Sequence, residues 1–296
     1  MDSQRPISVV RDSRTVPLIP AKSGVRRKEQ PWRGIVLERH TIGAIEIPEH
    51  VHGDFCVHLQ VGGHAAMEWW SEGANRVEAT GPGSMILLRP GTRDRLRWQE
   101  GTERLILSVE PALVRSVVGD SGGVVEVRNQ WSLRDGGLEH MLLEMGRQAE
   151  TGWPLGSLYA DLLGVRLASS LVRGYGSVPL KASVSERQWP TGKLRRAMEY
   201  MTDNLEVDLR LDAIAKEMDL SAFHFAREFR RSLGQTPYQY LLSQRIEMAK
   251  GLLRGGALSV QEVGLRSGFP SDVSFVRAFR QRVGMPPGLW RVVEQA

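Results

Sequence analysis

Seven pairs of like residues recur in the last third of the chain at one fixed spacing. Ser221 pairs with Ser271, Phe225 with Phe275, Arg227 with Arg277, Phe229 with Phe279, Arg230 with Arg280, Gly234 with Gly284 and Pro237 with Pro287, each 50 positions apart. A self-match of that length restricts the segment to two copies of one supersecondary unit. Within each copy the apolar period is helical. Leu211, Ile214, Ala215 and Met218 stripe a short helix, Asp219 and Leu220 turn, and Ser221 caps a second helix through Arg231 that buries Phe225 and Phe229. In the second copy Val260, Val263 and Gly264 line the short helix, Gly268 turns, Ser271 caps, and Phe275 and Phe279 point inward. Small residues at Ala215 and Gly264 let the two helices of each copy cross closely. The turn calls for a left-handed backbone, which Gly268 adopts freely and Asp219 adopts under some strain. Between the copies Pro237 starts a joining helix with Leu241, Leu242, Ile246, Ala249 and Leu253 on its apolar side.

Charge says what such units meet. The chain carries 39 Lys+Arg against 34 Asp+Glu. Residues 191–296 hold 16 basic and 12 acidic residues, so nearly all of the net +5 sits in the repeated segment. Most of those cations are arginines, among them Arg245, Arg266 and Arg282, and the guanidinium fork suits phosphates and guanine edges. Nucleic acid is therefore the expected partner. The 17 residues from Pro237 to Leu253 span about 25 Å as a helix, a spacer able to hold two recognition helices roughly one DNA turn, ~34 Å, apart.

The remaining 190 residues divide by texture. At 296 residues the chain suggests about two domains. Residues 1–30, polar and broken by Pro17 and Pro20, read as a flexible N-terminal arm. Short β-like runs follow at 34–38, 56–61, 66–70, 84–88, 95–98 and 104–109, punctuated by Gly62-Gly63, Gly73, Gly81-Pro82-Gly83 and Pro90-Gly91. Many short strands at regular spacing imply a sandwich or barrel. Leu138, Met141, Leu142 and Met145 then mark one amphipathic helix, and Leu155 to Leu171 a second. Both cap the barrel or pair with a second copy of the chain. Residues 176–192 read as a linker, and a domain of 193–296 follows the barrel domain of 31–175. The fold class expected is α+β.

The stretch Arg245-Ile246, Ala249, Leu253, Val263-Gly264, Gly268-Phe269, Phe275, Phe279 and Gly284-Met285-Pro286-Pro287 resembles the signature of the AraC/XylS family of bacterial transcription regulators, whose DNA-binding domain is a double helix-turn-helix. That resemblance implies that exposed positions early in each recognition helix read bases: Phe223, His224, Ala226 and Arg227 in the first, Asp272, Val273, Val276 and Arg277 in the second. Ser221, Arg230, Arg231, Ser271, Ser274 and Arg280 complete the expected DNA-binding set. Arg227 and Arg277 lead it, since arginine bridges guanine O6 and N7. A phosphate contact or a solvated face is the plainer role for each arginine, and Phe223 divides evenly between a thymine contact and the core.

Residues 48–63 and 83–91 are similar to the two characteristic segments of a cupin barrel. His50 and His52 have the i, i+2 spacing of cupin metal ligands, but Thr92-Arg93-Asp94-Arg95 stands where a later histidine is wanted, so no metal site and no cofactor is expected. The alternative is a barrel that senses a small-molecule effector, with His50, His52, Trp70, Arg93 and Arg95 as its candidate contacts and Trp69 and Trp98 as further aromatic wall. The resemblance thus implies an effector-controlled transcription regulator, an activator by family habit, that binds promoter DNA as a homodimer and works with RNA polymerase. Its rival is a metal-dependent cupin enzyme tethered to DNA. Neither a phosphate-binding loop nor a nucleophile elbow is present, so no catalytic residue is assigned. Cys56 stands alone and reads as small apolar packing. No apolar run reaches the ~18–20 residues of a membrane span, and residues 1–15 lack the apolar core of a secretion signal, which predicts a cytoplasmic protein with no membrane partner.

Overall fold

In the computed structural model of the chain, residues 6–19, 24–26, 30–118, 126–177, 189 and 191–295 are described. The chain forms two units, 1–152 with 163–181 and 153–162 with 182–296. Most of the expected linker, and residues 1–5 of the arm, lie outside the described residues.

The first unit is built on two six-stranded sheets. One has the order β2 (Arg14–Pro17), β1 (Ser8–Arg11), β5 (Ile45–His52), β10 (Arg93–Trp98), β7 (Ala65–Ser71), β8 (Ala74–Thr80). The other runs β12 (Gln130–Leu133), β9 (Met85–Leu88), β6 (Phe55–Gly62), β11 (Thr102–Val109), β4 (Ile35–Ile42), β3 (Gly24–Arg26). Val9, Ile47, Met67, Trp69, Leu96 and Trp98 of the first sheet share one apolar core with Ile42, Ile86, Leu88 and Ile106 of the second. The two sheets are not closed into a barrel, and with the helices that follow they give the α+β class expected. A second correction concerns the arm. Ser8–Arg11 pairs with β5, and Ile7, Val9, Leu18 and Ile19 are buried in the core, so residues 6–19 are part of the sheet. The alternation of Ile7 and Val9 is too short for a sequence pattern to separate from a polar tail.

A short helix, α1 (Pro111–Ser116), follows the strands. Asp135 then caps α2 (Gly136–Glu150) through the amides of Gly137 and Leu138, and Leu138, Met141, Leu142 and Met145 are its buried stripe, as the spacing predicts. A Cβ on Gly146 would meet Leu105 of β11 at 3.0 Å, so the helix lies close on the outer face of the second sheet. The expected second helix is α3 (Gly156–Tyr175), and the division between the units falls within it.

The second unit contains the first turns of α3 and then α4 (Thr191–Asp203), α5 (Leu211–Glu217), α6 (Ala222–Leu233), α7 (Pro237–Arg254), α8 (Val260–Arg266), α9 (Asp272–Val283) and α10 (Pro287–Gln295). The duplication is visible in every boundary after the turns. Ser221 and Ser271 cap α6 and α9, Gly234 and Gly284 end them with φ of +70° and +91°, and Pro237 and Pro287 begin the following helices. Before the turns the offset is 49, Leu211 against Val260, because Pro270 lengthens the second turn by one residue. Ala215 and Gly264 sit at the helix crossings, and a Cβ on Gly264 would lie 2.8 Å from the Phe275 ring. Asp219 has φ +54°, as the turn requires. Gly268 has φ +81° and also a backbone carbonyl against it, since an added Cβ would fall 1.9 Å from Leu205 O.

Candidate functional site

Each recognition helix is anchored on one side and open on the other. Phe225 and Phe229 of α6 are fully buried, Phe229 lies against Tyr240 of α7, and Trp189 lies edge-on against Phe225. Phe275 and Phe279 of α9 repeat the arrangement against Phe269 and Trp290. The Ser221 hydroxyl accepts from His224 N, and the Ser271 hydroxyl from Ser274 N, which ties down the helix starts whose free amides attract phosphate. Lys193 donates to Met218 O at the end of α5, a cation placed on a helix C-terminus.

The open face carries most of the sequence-predicted readers. Asp272, Val273, Arg277 and Arg280 of α9 are exposed, Val273 to 72%, and so are Arg230 and Arg231 of α6. Ser221, His224, Ala226, Arg227, Ser271 and Val276 are half-buried. Two expected readers are not on the surface. Phe223 is buried under the Arg227 guanidinium, and Ser274 is buried with its hydroxyl donating to Ser271 O. Phe223 therefore belongs to the core, and Ser274 closes a capping box rather than facing a ligand.

The two leading arginines differ. Arg227 pairs with Glu228 at 3.1 Å, and Arg231 pairs with the same carboxylate at 2.7 Å. Arg277 and Arg280 have no ion-pair partner among the described residues. Arg245, counted among the basic residues, is structural. Its guanidinium is buried and donates to Leu205 O and Val207 O, fastening α7 to the loop before α5 and to the Gly268 turn.

That loop holds a pair of caps that no local pattern discloses. Arg210, at the start of α5, offers no side-chain cap, and the Leu211 amide donates instead to Asp161 of α3 at 2.9 Å. In return Asp208 accepts from the amide and hydroxyl of Ser157 in the first turn of α3. Burial is the largest influence on Asp161 and pushes its carboxyl up to about 6, against the pull of Arg210 at 2.8 Å.

In the first unit the five effector candidates do not converge. Trp70, Arg93 and Arg95 lie on the outer face of their sheet, where Arg95 covers the Trp70 ring at 4.6 Å and pairs with Glu46, and Arg93 pairs with Glu49. His50 and His52 face inward and are buried, and Asp94 of β10 is buried beside them, directly opposite His50. The register between β5 and β10 slips after Asp94, so that Leu96 meets Ile47 while Asp94 meets His50. This bulge, at Pro48 and Glu49, lets both Ile47 and His50 face inward, which strict alternation forbids. Proline inside a strand run was the available signal. The carbonyl of Pro48 then accepts from His50 Nδ1–H at 2.9 Å. Burial, more than any neighbouring charge, lowers the His50 pKa. His52 Nε2 lies 3.0 Å and His50 Nε2 3.8 Å from Asp94 Oδ1. Further in, His40 pairs with Glu38 at 2.8 Å, and Arg104 lies over Trp98 and donates to Gln60, its pKa pulled down to about 9 by burial. Asp94, His40, His58 and Arg104 make this interior far more polar than sequence reasoning anticipated.

Two capped helix pairs on one joining helix, each with an exposed basic face, define a duplicated helix-turn-helix DNA-binding domain. The profile of a helix-turn-helix domain family matches residues 214–292. The C-terminal unit thus contains a helix-turn-helix domain. It is similar to the MmsAB operon regulatory protein of Pseudomonas aeruginosa, 35% identical over 92 residues, 31% of this chain and 30% of that protein. It is also similar to the HTH-type transcriptional activator AarP of Providencia stuartii, 28% identical over 118 residues, 40% of this chain and 87% of that protein. A solved structure of an AraC-type transcriptional regulator from Chromobacterium violaceum is 31% identical over 35% of this chain and 92% of that one, with a TM-score of 0.34. The match spans less than a third of the length of the P. aeruginosa relative. No helix among the described residues is long and apolar enough to cross a membrane.

Proposed function

We propose that the chain is a sequence-specific regulator of transcription that binds double-stranded promoter DNA through the C-terminal unit and a small-molecule effector through the N-terminal unit. The duplicated helix-turn-helix with Arg277 and Arg280 on its exposed face, without an ion-pair partner among the described residues, carries this reading. A relative named as an activator favours activation, with RNA polymerase as the further partner and a homodimer as the working form. His50 and His52 face away from Trp70, Arg93 and Arg95, so the five candidates do not form one site, and the reading turns to another cavity of the first unit. A cleft of about 760 Å³ is lined by Ile7, Ser8 and Thr15 together with Trp32, Ser108 and Glu110, a volume suited to a small organic molecule. Occupancy there changes how the arm is held, and so which of two conformations the chain favours.

The experiment is selection of bound sites from random duplex DNA by the full-length protein at two salt concentrations, because phosphate contacts weaken with salt and base contacts persist. A recovered motif with two contacted segments one helical turn apart supports the proposal. Retention of all sequences alike at both concentrations refutes sequence-specific binding.

A further inference from the structure

We propose that the first unit holds one divalent first-row transition-metal ion between β5 and β10, ligated by His50 Nε2, His52 Nε2 and an Asp94 carboxylate oxygen. The site lies in the other unit from the helix-turn-helix repeat and stands whether or not that repeat reads DNA. The three side chains are 1%, 3% and 1% exposed, and their ligand atoms all lie within 4.8 Å of one another. Ligands around a tetrahedral ion at about 2.0–2.2 Å stand roughly 3.4 Å apart, so small side-chain rotations close the shell.

What most requires a cation is the hydrogen bonding. Neither oxygen of Asp94, nor His50 Nε2, nor His52 Nε2 meets a hydrogen-bond partner among the described residues. A carboxylate removed from water with no donor is among the most unfavourable groups a core can hold. The 3.0 Å approach of His52 Nε2 concerns one oxygen alone and leaves the other, and His50 Nε2, unserved. A divalent ion serves all three side chains together. The supporting shell is in place too. A carbonyl can only accept, so the Pro48 contact fixes the proton of His50 on Nδ1 and leaves Nε2 with its lone pair toward Asp94. His52 is fixed by its backbone, its amide donating to Thr92 O and its carbonyl accepting from Gly91 N. Two imidazoles and one carboxylate select zinc, iron or cobalt over magnesium or calcium, and leave coordination positions open for water or a small anion. Cys56 is buried in the same core but is not among the side chains whose ligand atoms converge there.

The test uses the full-length protein without a histidine tag, stripped with a chelator and titrated with Co²⁺ while visible absorption is recorded. One equivalent per chain is expected, with a d–d band and a raised melting temperature. Asp94→Asn and His52→Gln should each weaken uptake at least tenfold, whereas replacing the exposed His64 and His140 by alanine should leave it unchanged. Absence of saturable one-to-one uptake overturns the proposal. So does uptake of undiminished affinity in both variants, each shown folded by near-ultraviolet circular dichroism. Should neither variant fold, the ¹⁵N shifts of the histidine rings in the unaltered protein decide, since Zn²⁺ must move the Nε2 signals of His50 and His52, and unmoved signals overturn the site.

Discussion

Arg227 and Arg277 occupy equivalent places on the two recognition helices but meet different surroundings. Glu228 holds Arg227 and Arg231 together, while Arg277 is exposed without such a restraint among the described residues. Arg277→Ala should therefore lose about 1–3 kcal/mol on a selected site and little on random DNA, measured by titration at fixed salt. Equal losses on both would make it a phosphate contact. Glu228→Gln should strengthen binding to any duplex, because it frees two cations and removes an acid from the face that meets phosphate. The glycines give a second contrast. Gly268→Ala has to place a methyl against Leu205 O and should destabilise the unit by about 3 kcal/mol or more, whereas Gly284→Ala, with nothing within 4 Å, should lose only the ~1–2 kcal/mol of a left-handed backbone. Chemical denaturation of both variants checks the ranking.

At the level of helices and strands, stability turns on caps. The elevated Asp161 carboxyl gives its pH dependence a definite sign. With a folded pKa of about 6 against an ordinary value of 3.8, the folded protein binds this proton more tightly than the unfolded chain. Its stabilising contribution is present below pH ~4 and disappears as the pH rises to about 6. The stability of the native protein minus that of Asp161→Asn should thus fall between pH 4 and 6, by up to ~3 kcal/mol on a shift of this size; a flat or rising difference would contradict the burial argument. These elements also show where sequence reading stops. The stripe of α2 and the capping serines at 221 and 271 were readable because each depends on neighbours three or four residues away, and the small residues at both helix crossings because they recur in the two copies of the repeat. The Asp161 cap, the arm strands and the convergence of Asp94 with His50 were not. They join residues about 40 to 50 positions apart or depend on a bulge that reverses the facing of a strand. Asp94 lies between two arginines in the sequence, and nothing local distinguishes it from a solvated carboxylate.

For the whole molecule, α7 is one continuous helix of 18 residues, about 27 Å long, and it sets the distance between the two readers. Inserting five base pairs between the two contacted segments of a selected site turns one of them to the opposite face of the duplex, and affinity should fall at least tenfold; ten base pairs should restore the facing but not the distance. Equal affinity on all three DNAs, by competition titration, would mean that one recognition helix does the binding alone. Composition and the repeat announced two domains divided in residues 176–192; the units do divide there, between 181 and 182, but residues 153–162 upstream also belong to the second unit. Asp161 and Ser157 lie upstream of that stretch and serve partners downstream of it. Anyone building chimeric sensors by exchanging the DNA-reading half at that loop would part each aspartate from the amide it serves, producing a hybrid with two unsatisfied helix starts. A workable graft has to carry Ser157 and Asp161, or substitutes for both, along with residues 191–295.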